Sequence, residues 1–236
     1  MKIRTLCLAL ALAFTGPGVT YAQVPTWDLS ISAFEGGALP FDTELKYRDG
    51  TVPADAKAKG VELKNSVSFG GKVDLWNTAF RPTFGFDFGG GIDVTHYTPA
   101  VKGGTGRITG TPGGVGFTGT GEVAGVDLDA TIVAADLLAR YPVWASPAFP
   151  NGRWYPYLGI GGGVDIARAA VGGASDTDTA PVMEALAGLN VFLTRHLALF
   201  GEYKFTRAQH VFYEDTTRLH AAVDTNHIVG GLALHF

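Results

Sequence analysis

The sequence predicts an all-β fold: an eight-stranded antiparallel up-and-down transmembrane β-barrel with short periplasmic turns and longer external loops. Three observations carry this expectation. A period-two apolar alternation runs through the last residue of the chain, seven further segments repeat the same period, and the connections between them alternate short and long. Soluble domains generally let their last residues fray. In this chain Ile228, Gly230, Leu232, Leu234 and Phe236 form one row and His227, Val229, Gly231, Ala233 and His235 the other.

Taken in order, the chain begins with Lys2 and Arg4, an apolar stretch from Leu6 to Phe14, a Gly16-Pro17-Gly18 break and Thr20-Tyr21-Ala22. This pattern predicts a cleaved signal peptide over residues 1–22 and a barrel over residues 23–236. The apolar stretch is too short to span a bilayer, which takes about 20 residues as a helix. The single cysteine, Cys7, falls inside it, so disulfides, thiolate metal sites and cysteine nucleophiles are not expected in the remaining chain.

The first strand, Trp27 to Phe34, sets Trp27, Leu29, Ile31 and Ala33 against Asp28, Ser30 and Ser32. The second, Val67 to Leu75, sets Val67, Phe69, Val73 and Leu75 against Ser68, Lys72 and Asp74. The third sets Phe84, Phe86, Phe88, Ile92 and Val94 against Asp87, Asp93, Thr95 and three glycines. A soluble core would not usually oppose such a phenylalanine row with glycine and aspartate. In the fourth, from about Val126 to Tyr141, Leu128, Ala130, Ile132 and Ala134 share one phase and Leu137, Ala139 and Tyr141 the other, which a β-bulge would reconcile.

The fifth strand, Tyr155 to about Arg168, places Leu158, Ile160, Val164 and Ile166 outward and Tyr157, Asp165 and a glycine row inward. The sixth, Val182 to Leu193, opposes Met183, Ala185, Ala187, Leu189, Val191 and Leu193 to Glu184, Gly188 and Asn190. The seventh, Leu197 to about Phe205, opposes Leu197, Leu199, Tyr203 and Phe205 to Glu202 and Lys204. The stretches Asn77 to Pro82, Pro142 to Arg153 and Thr194 to His196 are the short turns. Gly36 to Ser66 and Thr98 to Glu122 are the long external loops, and Gly103 to Gly121, rich in Gly and Thr, reads either as a mobile loop, the favoured reading, or as an extension of two strands above the membrane. With an even strand count both termini are periplasmic. Trp27, Tyr141 and Trp154, joined by Phe80, Trp144 and Phe236, then gather as an aromatic girdle at the periplasmic interface.

Composition agrees. After removal of the signal, 16 basic side chains face 22 acidic ones, an acidic balance that argues against a nucleic-acid partner. Charged residues are 17% of the chain, below the usual quarter, and glycines number 33. No apolar run beyond the signal approaches the length of a transmembrane helix. A membrane crossing would therefore use strands, since only helices and closed barrels satisfy every backbone polar group in hydrocarbon.

The stretches Trp154-Tyr-Pro-Tyr-Leu-Gly-Ile-Gly-Gly-Gly163, Leu199-Phe-Gly-Glu-Tyr-Lys-Phe205 and Gly230-Gly-Leu-Ala-Leu-His-Phe236 resemble those of small outer-membrane β-barrel proteins, the OmpA-like and OmpX-like eight-stranded group often called porin-family. The resemblance implies the Gram-negative cell envelope, outer-membrane lipids and lipopolysaccharide as surroundings, and barrel-assembly machinery that reads the ending Ile228, Leu232, Leu234, Phe236. It says very little of biochemical role; no cofactor and no enzymatic activity are expected.

The inward rows supply the candidate site: Lys72, Asp74, Asp87, Asp93, Asp165, Glu184, Asn190, Glu202 and Lys204, with Asp136 and Arg140 added if the fourth strand is phased from its C-terminal half. Eight strands enclose a lumen about wide enough for side chains to fill. One reading is an ion-pair core that holds the barrel together, since buried charges are costly unless paired. The other is a narrow path for small cations, because acids outnumber bases. His210 and His220 bracket an external loop with Glu214 and Asp215, a weak surface metal site at most, and no metal is expected; His227 and His235 point into the lumen. A lipid A deacylase of similar architecture uses a His-x-Ser-Asn strand motif, and none of the six histidines here has serine two residues later. Expected roles are therefore envelope structure or surface interaction, with a host or other surface ligand at the external loops.

Overall fold

Alternation places one flank of each strand outward and the other inward, and closure of the sheet removes its edges. The computed structural model describes residues 26–49, 55–110, 117–123, 125–171, 174–214 and 217–236. The expected signal segment lies outside them.

Eight antiparallel strands close the cylinder: β1 (Trp27–Pro40), β5 (Ser66–Asn77), β6 (Asp87–Tyr97), β10 (Val126–Arg140), β11 (Trp154–Val171), β12 (Ala174–Phe192), β13 (Leu197–Glu214) and β14 (Thr217–His235), with β14 paired back to β1. Phe236 continues that seam, its N–H donating to Leu29 O at 2.9 Å. The registers fix the stagger. Ser30 pairs with Asp74, which leads through Gly91, Asp136, Gly161, Glu184, Thr206 and Thr225 back to Pro40, ten residues further along β1. For eight strands this stagger means a tilt of roughly 40° and a lumen only side-chain wide.

The exterior is apolar. Val67, Phe69, Phe88, Ile92, Leu137, Leu158, Ile160, Met183, Ile228 and Leu232 are exposed, whereas Asp74, Asp87, Asp93, Arg140, Glu184 and Lys204 are buried. Such a surface suits acyl chains and would be an aggregation hazard in water. Among the described residues no helix is long and apolar enough to cross a membrane. Below the apolar belt Trp27, Phe80, Tyr141, Trp144 and Phe236 are exposed, and Trp154 packs edge-to-face on Trp144 at 6.4 Å. Above it stand Glu35, Asp129, Arg168 and the Arg207–Asp224 pair at 3.2 Å.

Three expectations change. The third strand does not begin at Phe84: α1 (Arg81–Phe84) occupies that turn and ends at Gly85, whose φ of 76° lets its N–H reach Arg81 O. The fourth strand, β10, has no bulge. Its even-numbered residues face inward from Leu128 to Arg140 without a register shift. The apparent phase change arises because the lumen itself changes from apolar beside Ala130, Ile132 and Ala134 to polar beside Asp136 and Arg140.

The long loops, third, are largely strands. β2 (Thr43–Asp49), β3 (Asp55–Val61), β8 (Gly104–Gly110) and β9 (Phe117–Val123) extend the sheet outward from β14, in the order β14-β2-β3-β8-β9. Two short strands, β4 (Leu63–Lys64) and β7 (Ala100–Val101), pair with each other, and β7 pairs with β10. Of the two readings of the Gly/Thr-rich stretch, the strand extension holds and the favoured mobile loop does not: β8 and β9 pair from Gly104 with Val123 to Gly110 with Phe117. The hairpins β11–β12 and β13–β14 also continue outward well past the belt.

Candidate functional site

The lumen is filled by side chains that tie one wall to another. At the periplasmic end Arg140 on β10 donates from Nη1 to Asp28 on β1 at 2.6 Å and from Nε to Asp87 on β6 at 2.9 Å. Its guanidinium carbon lies 4.6 Å from the Trp76 ring and 4.8 Å from the Tyr155 ring, a cation held between two aromatic faces. Arg81 from α1 reaches the same Asp87 at 2.8 and 2.5 Å, so the turn helix is pinned to the barrel floor. His235 Nδ1 is 3.0 Å from Asp28, and Asn190 donates to the Tyr155 hydroxyl at 2.9 Å.

One level up, Lys72 on β5 pairs with Glu202 on β13 at 2.5 Å, and Tyr157 on β11 donates to that carboxylate at 2.8 Å. Lys204 on β13 crosses to Asp93 on β6 at 2.7 Å and to Thr95 at 3.1 Å. Asp74 accepts from Ser30 at 3.4 Å. The middle of the lumen therefore holds Asp74, Asp93, Asp136, Glu184 and Glu202 against Lys72 and Lys204. Asp136 and Glu184 hydrogen-bond each other, and no other donor is within hydrogen-bond distance of either carboxyl group among the described residues. Inward glycines make room for these acids: a Cβ on Gly91 would overlap the Asp74 carboxylate, and one on Gly161 the Asp136 carboxylate.

Above this, Ser68 Oγ is 3.1 Å from His227 Nδ1, and the other ring nitrogen faces Thr206 at 3.2 Å. Hydroxyl and imidazole are arranged as nucleophile and base would be. Yet both are fully buried at mid-barrel, and Thr206, not a carboxylate, sits behind the imidazole. Toward the mouth, Asp165 on β11 lies 3.2 Å from His210 Nε2 and Asp178 on β12 lies 3.2 Å from His210 Nδ1.

All eleven residues of the expected lumen network face inward, and they divide into these levels rather than forming one cluster. His210 is not a solvated loop residue. It is buried on β13, which with β14 continues as a hairpin through Glu214 and Thr217, while Asp215 lies outside the described residues. His220 is exposed, and among the described residues no group of acids, cysteines and histidines is arranged to hold a metal ion. Sequence reasoning missed Asp28, Trp76, Arg81, Tyr155 and Asp178 as members of the network. Asp28 was legible from its own alternation, and His210 from extending the Lys204, Thr206, Ala208 row by one step. Arg81 lies in a turn with no periodicity to place it.

Residues 50–236 match the family described as outer membrane protein beta-barrel domain. No curated protein matches the sequence. Among solved structures, the chain is similar to Neisserial surface protein A, with 13% identity, a TM-score of 0.46, and coverage of 88% of this chain and 97% of that one. The outer membrane protease OmpT from Escherichia coli is 8% identical with a TM-score of 0.42, covering 89% and 97%. The outer membrane protein OprG from Pseudomonas aeruginosa is 13% identical with a TM-score of 0.41, covering 89% and 95%. Likenesses this distant assign no role.

Proposed function

Because the chain belongs to the outer membrane protein beta-barrel domain family and so sits in the Gram-negative outer membrane, we propose that it is a non-enzymatic, closed barrel that serves the envelope as a scaffold and presents its external strands for surface interaction. The observation that carries this reading is the transverse tying of the lumen. Arg140 to Asp28, Lys72 to Glu202 and Lys204 to Asp93 each join strands that are not neighbours, the first at the periplasmic end and the other two in the middle of the lumen. Buried pairs with this geometry are costly to break, about 3–5 kcal/mol when one partner is removed. A conducting state would have to break several.

The non-enzymatic part is supported by the sealed position of the Ser68 and His227 pair. Partners follow from surface chemistry. Acyl chains meet the apolar belt, and Arg168 and Arg207 stand above it where lipopolysaccharide phosphates would lie. A host or other surface ligand would meet the β2-β3-β8-β9 extension. Residues 1–22 act as the export signal, and barrel-assembly machinery reads the ending at Phe236.

The competing reading, a narrow cation path, draws support from the acid excess around Asp74, Asp136 and Glu184. Planar-bilayer recording of the purified folded protein separates the two. Silent bilayers are expected. Steady cation-selective conductance, reduced in Asp136→Asn with Glu184→Gln, would establish the channel instead.

A further inference from the structure

Above the alanine layer the lumen opens into an apolar cavity at the external mouth, walled by Val101, Val126, Leu128, Val223 and the Tyr97 ring. The ionisable groups in the lining besides Tyr97 are Asp165 and His210. Asp165 is 1% exposed. Its Oδ2 accepts from His210 at 3.2 Å and from the Tyr97 hydroxyl at 3.5 Å, whereas its Oδ1 meets no donor among the described residues. His210 is already held on its other side by Asp178. One imidazole thus serves two carboxylates.

A buried acceptor without a donor is destabilising, and a ligand that supplies the donor recovers that cost. Charge-assisted donors are the stronger ones. The valine and leucine walls reward an apolar body, disfavour a sugar, and give an anion nothing to pair with. We propose that this cavity is a binding site for a small organic ammonium, a short apolar body ending in –NH₃⁺, whose nitrogen donates to Asp165 Oδ1 while its carbon atoms pack against Val101, Val126, Leu128 and Val223. The Tyr97–Asp165–His210 layer is its floor, so the body is short and the site is independent of whether the lumen below conducts.

The test is calorimetric titration of the folded full-length barrel in lipid nanodiscs with three isosteric probes: benzylammonium, benzyl alcohol and toluene. Benzylammonium is expected to bind saturably and at least tenfold more tightly than toluene, with benzyl alcohol between them. Asp165→Asn should weaken benzylammonium by at least tenfold and leave toluene unchanged. Leu128→Trp, which fills the cavity from the wall without touching Asp165, should abolish binding of all three, and it serves if Asp165→Asn does not fold. Absence of saturable benzylammonium binding, equal binding of toluene, or binding that Leu128→Trp leaves unchanged would each overturn the proposal.

Discussion

Arg140→Ala is the perturbation whose cost the structure defines most closely. The side chain is fully buried, gives one charge-assisted bond to Asp28 and one to Asp87, and fills the gap between the Trp76 and Tyr155 rings. Its loss leaves a cavity and two buried carboxylates. Each retains one cationic or polar partner, His235 for Asp28 and Arg81 for Asp87, so the expected cost stays within the range for breaking one buried pair, about 3–5 kcal/mol. Arg81→Ala removes a cation at the lumen edge from the same Asp87, which keeps Arg140, and should cost less, about 1.5–3 kcal/mol. The assay is urea unfolding in lipid vesicles, followed by tryptophan emission and by heat-modifiable migration in gels. Equal losses for the two variants, or a loss under 1 kcal/mol for Arg140→Ala, would refute the claim that this tie holds the barrel floor.

Three further outcomes follow from the same coordinates. Asp136→Asn with Glu184→Gln replaces two facing buried acids that no other donor reaches with neutral amides able to donate to each other, so the variant should unfold at higher urea than wild type, by about 1–3 kcal/mol; a lower midpoint would contradict this. Gly161→Ala drives a Cβ into the Asp136 carboxylate and the Ala135 carbonyl and should cost about 1–3 kcal/mol, whereas Gly201→Ala, with open space around it, should be neutral in the same assay. Phe236→Ala removes an exposed ring but no backbone pairing, while Val229→Ala removes core methyls. Quantitative recovery of folded protein from outer membranes should nevertheless fall further for Phe236→Ala if the assembly machinery reads the terminal side chain, and equal recovery would contradict that.

At the external mouth, burial disfavours a charged His210, but Asp165 and then Asp178 outweigh it and hold its pKa above the ordinary imidazole value. Its contribution to stability is complete below the unfolded pKa of about 6.5 and is lost as pH rises through the raised folded value. Wild type should therefore lose stability as pH rises above about 6.5 by an amount that His210→Gln does not show, measured as the urea midpoint against pH.

Strand existence, facing and the closing seam were legible because the period-two signal is strongest where lipid and lumen differ most, as at Phe69 against Ser68 or Leu137 against Asp136. The signal weakens where the lumen itself is apolar. Ala130, Ile132 and Ala134 look lipid-facing by type yet point inward, and a bulge was expected at that place. Beyond the belt the outer flank meets water in place of lipid, so past Phe205 the outward row of β13 turns polar at Arg207 and Gln209 and its contrast with the buried Thr206, Ala208 and His210 is harder to read. Partner choice across the lumen was not legible either. Alternation says that Lys72 and Glu202 share the interior, but only the ten-residue stagger decides that they meet.

Adjacent positions on β10 test the central claim most directly. Leu137 lies outside at 71% exposure and Leu138 inside at 3%. Single cysteines placed at each, in a chain whose only native cysteine is Cys7, would be probed in vesicles with a lipid-dissolved quencher and a water-soluble thiol reagent. Leu137→Cys is predicted to be reached by the lipid-dissolved quencher and Leu138→Cys by neither probe. Rapid aqueous modification of Leu138→Cys, or a Leu137→Cys shielded from lipid, would contradict a filled barrel with its apolar face in the membrane.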